Sequence, residues 1–314
     1  MTCASDRPAP LLVLNPAAGG TRRGRILADV LDAFAGFGVH PTPAPTRHAG
    51  HATELVREYV DGGGRDVLVI GGDGTINEVA DGLVDPRGPR ADRLVLGVVH
   101  AGTGGDLART LGLPRSLRDG IAIAACGRAR PVDVGMATMG QRAGHGTVER
   151  AFLNVASVGL SAEVVRHAAG PLRRAGSTGS FALATVRSLA GLQPYSIRID
   201  AGDGWVAAQV TDAMVCNGRY VGGGMLAAPL AEPDDGVLDL LLVGAAPRRT
   251  ILGKFGKIYR GTHVEDPLVR YARAATVRID APEPLDVVLD GELAGTTQLT
   301  TRVLPAAIRV RCAD

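Results

Sequence analysis

The sequence predicts an α/β domain built on a parallel sheet, followed by a second, β-rich domain of sandwich-like type. Two observations predict it. Near the N-terminus, three short apolar runs each break into a glycine-rich turn and resume at helical spacing. Leu11 to Leu14 ends in Asn15-Pro16-Ala17-Ala18-Gly19-Gly20 and resumes as a helix from about Arg23 to Phe34. Asp66 to Ile70 runs into Gly71-Gly72-Asp73-Gly74-Thr75, after which Ile76, Val79, Ala80 and Leu83 recur at helical spacing. Leu94 to Val99 ends in His100-Ala101-Gly102-Thr103-Gly104-Gly105-Asp106 before Leu107-Ala108-Arg109. Strand-turn-helix units of this kind give parallel strands with crossover helices, and ligands sit at the carboxyl ends of such strands.

The second observation is a change of pattern from about residue 130. Ala207 to Val215, Val237 to Val243, Ala275 to Ile279 and Leu285 to Leu289 alternate in polarity and are spaced by turn residues, which reads as an antiparallel sheet. Ser180 to Leu189 and Arg248 to Tyr259 read as helices, and the polar, glycine-rich stretch Ala137 to Arg150 as a hairpin loop or mobile connection. At 314 residues the chain exceeds one usual core. The expected division is 1–130, with 300–314 returning to it, and 131–299.

Composition narrows the function. A net charge of +2, from 34 basic and 32 acidic residues, gives no general attraction to nucleic acid or to an anionic bilayer, so any membrane contact is local. Lys254 and Lys257 are the only lysines, and the excess of arginine reads as coding bias. Cys3, Cys126, Cys216 and Cys312 lack the paired spacing of a zinc site. No apolar run approaches the roughly 18 residues of a spanning helix. A cytoplasmic location, with peripheral contact at the inner membrane face left open, is the expectation.

Glycine lets the backbone come close to a ligand, and the N–H groups of a turn, with the positive end of the next helix, can hold phosphate oxygens. One such turn reads equally as a tight connection; three at one sheet edge point to a triphosphate cradle. Neither the G-x-x-x-x-G-K-[ST] nor the G-x-G-x-x-G pattern occurs in a strand-turn-helix setting. A carboxylate beside phosphate is repulsive unless a cation intervenes, so Asp73 and Asp106 are candidates to organise Mg²⁺. The structural alternative is that both cap the helices that follow.

Asn15-Pro16 with Gly19-Gly20, Gly71 to Glu78, Gly102-Thr103 with Asp106, Thr46 and Gly50-His51-Ala52 together resemble the diacylglycerol kinase catalytic-domain family. That family also includes sphingosine and ceramide kinases. The resemblance continues through Gly222-Gly223-Gly224-Met225, Pro233 to Asp239 and Leu289-Asp290-Gly291-Glu292. It implies an N-terminal nucleotide domain like that of NAD kinases, a β-rich second domain, and a nucleotide in the cleft between them. It implies that ATP is contacted by Asn15, Pro16, Ala17, Ala18, Gly19, Thr46, Gly72, Asp73, Gly74, Thr75, Ile76, Asn77, Glu78 and Thr103. Asp73 and Asp106 would organise magnesium and phosphates, and Glu292 would be the general base for the acceptor hydroxyl. Asp235, with the carbonyls of Glu232 and Val237, would hold a structural magnesium. From the residues alone Glu292 reads as a hairpin residue, because Asp-Gly is a strong hairpin signal.

Two positions depart from the family pattern: His100 stands where Pro is usual, and Gly105 where Asn precedes the Asp. The implied activity is ATP- and Mg²⁺-dependent phosphorylation of a lipid hydroxyl, with diacylglycerol as the expected acceptor. The alternatives are an NAD-kinase-like enzyme and a nucleotide- or lipid-binding regulator. A lipid at the membrane surface is the expected partner, with a homodimer left open. The basic stretches Arg166-His167 with Arg173-Arg174, and Arg248 to Arg260, are candidates for headgroup contact or simply solvated faces. Arg22, Arg23 and Arg25 are candidates to neutralise phosphate.

Overall fold

Short runs of Leu, Val and Ile form the first sheet. In a computed structural model the chain is described at residues 8–16, 23–102, 104–142, 145–168, 184–185, 187–189 and 191–313. It divides into two units, 1–102 with 111–132 and 306–314, and 103–110 with 133–305. This differs from the expected division in two places: residues 103–110 group with the second unit, and the returning segment begins at Ala306.

The first unit contains β1 (Leu11–Leu14), α1 (Arg23–Ala35), β2 (Thr42–Pro45), α2 (His51–Asp61), β3 (Asp66–Gly71) and α3 (Asp73–Leu83). A two-residue hairpin follows, β4 (Val84–Asp85) with β5 (Gly88–Pro89), and then β6 (Val95–His100). Its sheet is parallel throughout, in the order C-terminal segment, β6, β3, β1, β2. Leu12, Leu68 and Val99 pack on one face with Val30 and Phe34 of α1 and with Ile121 and Ala124. The last two belong to α5 (Leu117–Cys126), which follows the short α4 (Asp106–Thr110) of the second unit. On α2 and α3, Val56, Val60, Ile76 and Val79 are buried. A Cβ at Gly82 would lie 2.7 Å from Val56 Cβ, so these helices meet where one has no side chain.

The second unit uses β7 (Arg128–Gly140), β8 (Thr147–Phe152), β9 (Val155–Gly159), α6 (Leu160–Ala168), β10 (Tyr195–Asp200) and β11 (Val206–Cys216). They are followed by β12 (Tyr220–Val221), β13 (Met225–Leu226), β14 (Leu238–Gly244), α7 (Arg248–Lys254), β15 (Val269–Ala274), β16 (Thr276–Asp280), β17 (Asp286–Leu289) and β18 (Glu292–Cys312). Two strands are long enough to change neighbours. β11 pairs with β10 through Val210 and with β9 from Asp212 onward. β18 pairs with β17 at Glu292 to Thr296 and with β16 at Leu299 to Arg302. Since β10 also pairs with β16, and β9 with β17, the ladder closes on itself. Inside it lies an apolar core that includes Phe152, Val158, Ile197, Val215, Leu240, Val277 and Leu299.

The segment expected as a loop from Ala137 to Arg150 is mostly strand, with Ala137 paired to Arg150 and Gly140 to Thr147. The helix expected from Arg248 to Tyr259 is α-helical only to Lys254 and continues as a 3-10 helix, Phe255–Arg260. Of Ser180 to Leu189, residues 184–185 and 187–189 are helical and the rest lies outside the described residues. Among the described residues no helix is long and apolar enough to cross a membrane.

Candidate active site

In the first unit the turns at the carboxyl ends of β1, β3 and β6 are tied together. Asn15 donates its backbone N–H to the Ile70 carbonyl at 3.2 Å and its side-chain Nδ2 to Thr75 Oγ1 at 3.0 Å. Ala101 N–H donates to the Gly71 carbonyl at 2.8 Å, and a Cβ at Gly102 would lie 2.7 Å from Gly72 Cα. Glycine is required there because two backbones touch. Thr46 joins the group by donating its N–H to the Leu14 carbonyl at 2.8 Å. Asp73 is the first residue of α3, half-buried, after the extended Gly72 (φ −84°, ψ 179°). A carboxylate is favoured at the positive end of a helix. Ala17, Ala18, Gly19, Thr103 and Arg22 lie outside the described residues, as do the side chains of Arg23 and Arg25.

Two residues expected to contact ATP are given to the scaffold. Ile76 is 1% exposed and belongs to the core. Glu78 spends both carboxylate oxygens on the turn before α2, accepting from Gly50 N at 2.9 Å and Ala52 N at 3.2 Å. His48, His51 and Glu54 also gather beside this turn. The His51 Nδ1 accepts from Arg47 N at 3.1 Å, so in the neutral ring Nε2 carries the proton and neither nitrogen is free to bind a metal ion.

Both departures in the third turn fit the backbone. His100 Nε2 donates to the Gly102 carbonyl at 3.0 Å and so braces the turn where proline would have stiffened it. Gly105 has φ +83°, a conformation that asparagine also tolerates.

In the second unit Asp106 is 8% exposed and both its oxygens are bonded. Oδ1 accepts from Arg109 at 3.0 Å and Oδ2 from Gly223 N at 2.9 Å. Arg109 also donates to the Gly104 carbonyl at 2.7 Å, and Gly222, Gly223 and Gly224 all have positive φ. The carboxylate therefore organises an arginine and a three-glycine turn. Sequence reading passed over Arg109, although its place three residues after Asp106 on a helix was a usable signal.

The turn carrying Glu292 is held by Asp290. Asp290 and Gly291 have φ +45° and +88°, the pattern of a tight hairpin turn. The Asp290 carboxylate accepts from Leu153 N at 2.7 Å, Asn154 N at 2.9 Å and Val155 N at 2.8 Å. Glu292 opens β18, is exposed, and its side chain makes no hydrogen bond or ion pair with a described residue. The hairpin reading thus belongs to Asp290 and Gly291, and Glu292 is a free carboxylate on a rigid mount.

The residues expected to hold a structural magnesium do not fit one. Asp235 Oδ1 accepts from Val237 N at 3.1 Å, and its Oδ2 is paired with Arg273. Arg273 Nε is 3.6 Å from Asp239 Oδ1, which also accepts from Tyr271 at 2.5 Å. Burial raises the pKa of Asp239 above the usual carboxylate range, against the pull of the Tyr271 hydroxyl, and the negative charge of Glu232 raises it further. A guanidinium already supplies the positive charge that this acidic loop needs. Asp133, which sequence reading missed, fastens the loop by accepting from Gly236 N at 2.7 Å.

The second unit also carries a partly open cavity of about 110 Å³, lined in part by Leu160, Met214, Val243, Ile251, Phe255 and Ile258. Two carboxyl groups line it, those of Asp212 and Asp266. Asp212 Oδ1 accepts from Ser161 Oγ at 3.0 Å and Ser161 N at 3.3 Å, and burial pushes its pKa up to about 7. Asp266 is paired with Lys254 at 2.7 Å and Lys257 at 3.0 Å, both also lining residues, and these ammonium groups hold it well below the usual carboxylate range.

Comparison with known proteins places this geometry. Residues 9–137 match the diacylglycerol kinase catalytic domain, and residues 154–312 the YegS C-terminal NAD kinase beta sandwich-like domain. The diacylglycerol kinase of Bacillus subtilis strain 168 is 29% identical over 90% of this chain and 89% of its own. That of Mycobacterium tuberculosis strain H37Rv is 30% identical over 83% and 81%. The solved structure of a diacylglycerol kinase from Bacillus anthracis strain Sterne covers 97% of this chain and 96% of its own, with a TM-score of 0.73 and 22% identity, a likeness of fold. Matched along both of its units, the chain belongs to the diacylglycerol kinase catalytic-domain family and is a kinase.

Proposed function

We propose that the protein transfers the γ-phosphoryl group of ATP to the hydroxyl of a lipid, with diacylglycerol as the acceptor and phosphatidic acid as the product. The observation that carries the lipid reading is the apolar cavity of the second unit, whose walls suit a hydrocarbon segment. At about 110 Å³ it is somewhat smaller than the ~150 Å³ apolar cavity known to admit benzene, so it receives part of a chain and not a whole lipid.

In this reading the tied turns of the first unit hold the triphosphate through backbone N–H groups at Gly72 and Gly102 and through the α3 N-terminus. Asp73 fits as a magnesium ligand, being one carboxylate at a phosphate-binding turn. Magnesium, when bound, neutralises phosphate charge in phosphoryl transfer. Glu292 takes the proton of the acceptor hydroxyl, a task suited to a carboxylate with no competing partner and a turn fixed by three hydrogen bonds. Asp106 positions Arg109 and the Gly222 to Gly224 turn.

The test is transfer of labelled γ-phosphate to diacylglycerol in mixed micelles, with sphingosine and NAD as parallel acceptors. Glu292→Gln is expected to lower turnover by about 10²-fold or more without lowering the thermal midpoint. Label on NAD alone supports the NAD-kinase-like alternative, and nucleotide binding without any labelled product supports a regulator.

A further inference from the structure

The segment Arg248 to Arg260 reads Arg-Arg-Thr-Ile-Leu-Gly-Lys-Phe-Gly-Lys-Ile-Tyr-Arg, with five basic residues and no acidic one in a chain of net charge +2. It folds as α7 and the 3-10 helix that continues it, and its two faces differ. Ile251, Phe255 and Ile258 line the cavity. Leu252, 53% exposed, and Tyr259, 43% exposed, face water together with Arg248, Arg249 and Arg260. Gly253 and Gly256 lie among them, and a Cβ at either would meet nothing within 4 Å, so this outer strip is uncovered.

Two of the five basic groups of the segment are not spent internally. Lys254 and Lys257 are given to Asp266, and Arg248 Nε donates to the Leu192 carbonyl at 3.3 Å. The guanidinium groups of Arg249 and Arg260 make no hydrogen bond or ion pair with a described residue. Free arginines at both ends of a strip with an exposed leucine and tyrosine between them match the chemistry of an anionic bilayer surface. The apolar groups enter the headgroup boundary and the arginines meet lipid phosphates.

We propose that this outer strip is the surface by which the protein docks on an anionic lipid bilayer, with Leu252 and Tyr259 seated at the acyl boundary and Arg249 and Arg260 on phosphate. Its purpose rests on the lipid-acceptor reading, since the opposite face of the same segment walls the cavity. Docked this way, the cavity lies within about one helix diameter, roughly 10 Å, of the bilayer.

The test is co-sedimentation of the full chain with vesicles of phosphatidylcholine and phosphatidylglycerol, against phosphatidylcholine alone. Each basic residue near an anionic surface contributes about fivefold to partitioning. Arg249→Glu with Arg260→Glu is therefore expected to lower binding to the anionic vesicles by about tenfold or more, and Leu252→Ser by a few-fold. Both variants should keep the wild-type thermal midpoint and unchanged transfer to a short-chain diacylglycerol dispersed in detergent. Equal binding by wild type and variants overturns the proposal, as does binding that appears only when the vesicles carry membrane proteins, which would mark a protein partner. Loss of vesicle binding in the variants with no lipid phosphorylated by any form would leave the docking surface standing and remove the acceptor reading.

Discussion

Asp212 is the residue whose charge the fold resists most clearly. Burial raises its pKa from the ordinary 3.8 to about 7, against the opposing pull of the Ser161 donors. Between those values the folded protein keeps a proton that the unfolded chain has released. The stability linked to this group is full below about pH 4 and is lost as pH rises toward 7. Asp212→Asn keeps an acceptor for Ser161 and removes the charge. It is expected to stabilise the protein by about 2–4 kcal/mol at about pH 8 and to make little difference near pH 4. Urea midpoints at both pH values check this, and an equal effect at each would exclude the linkage. The neighbouring residues Asp290 and Glu292 should separate in the opposite sense. Asp290→Ala leaves three backbone N–H groups without their acceptor, at about 1–3 kcal/mol for each donor left buried, and should cost both stability and turnover. Glu292→Gln should cost turnover alone. Thermal midpoints and turnover of the two variants, measured together, distinguish the mount from the base.

At the scale of elements, the glycine turns work through what they lack. Gly102→Ala would place a methyl carbon 2.7 Å from Gly72 Cα, closer than real Cβ atoms come to backbone. Because the turn lies at a strand end and not in the core, the expected result is weaker nucleotide binding, by about tenfold or more, with a thermal midpoint within a few degrees of wild type. Calorimetric titration with an ATP analogue reads it, and unchanged affinity would mean that the second and third turns do not act as one cradle. These turns were legible in the sequence because each Gly-rich break stood between an apolar run and a helical repeat. Ile76 and Glu78 were not separable from their neighbours in the same string, since a motif records which residues occur together and not which point inward. Asp235 was misleading for a related reason. The family resemblance implied a cation there, and the positive charge beside it is Arg273, far away in sequence and brought alongside by the pairing of β14 with β15.

At the scale of the whole molecule, both units were legible in the sequence because strand-turn-helix repeats and alternating strands differ in period. The closure of the second unit was not, because it depends on β11 and β18 changing neighbours midway, and nothing in an alternating run says where that happens. Residues 103–110 were assigned to the first unit for the same reason: Asp106 joins the second through long-range bonds to Gly223 and of Thr110 with Arg219. The last strand raises the sharpest structural prediction. Its segment from Ala306 completes the first unit, pairing Arg309 with Val95 and Val310 with Leu96 in parallel. It buries Ile308, Val310 and Cys312, and Arg311 forks onto Asp66 at 2.7 and 2.6 Å. Burying such side chains contributes about 1.5–3 kcal/mol each, and their sum rivals the 5–15 kcal/mol that holds a typical domain. A chain ending at Pro305 would also leave β6 as a bare edge. Hydrogen exchange read by mass spectrometry should then show lost protection in β3 and β6, while β11 and β9 keep theirs within the closed ladder of the second unit. Retained protection in β6 would mean that the sheet of the first unit stands without its returning strand.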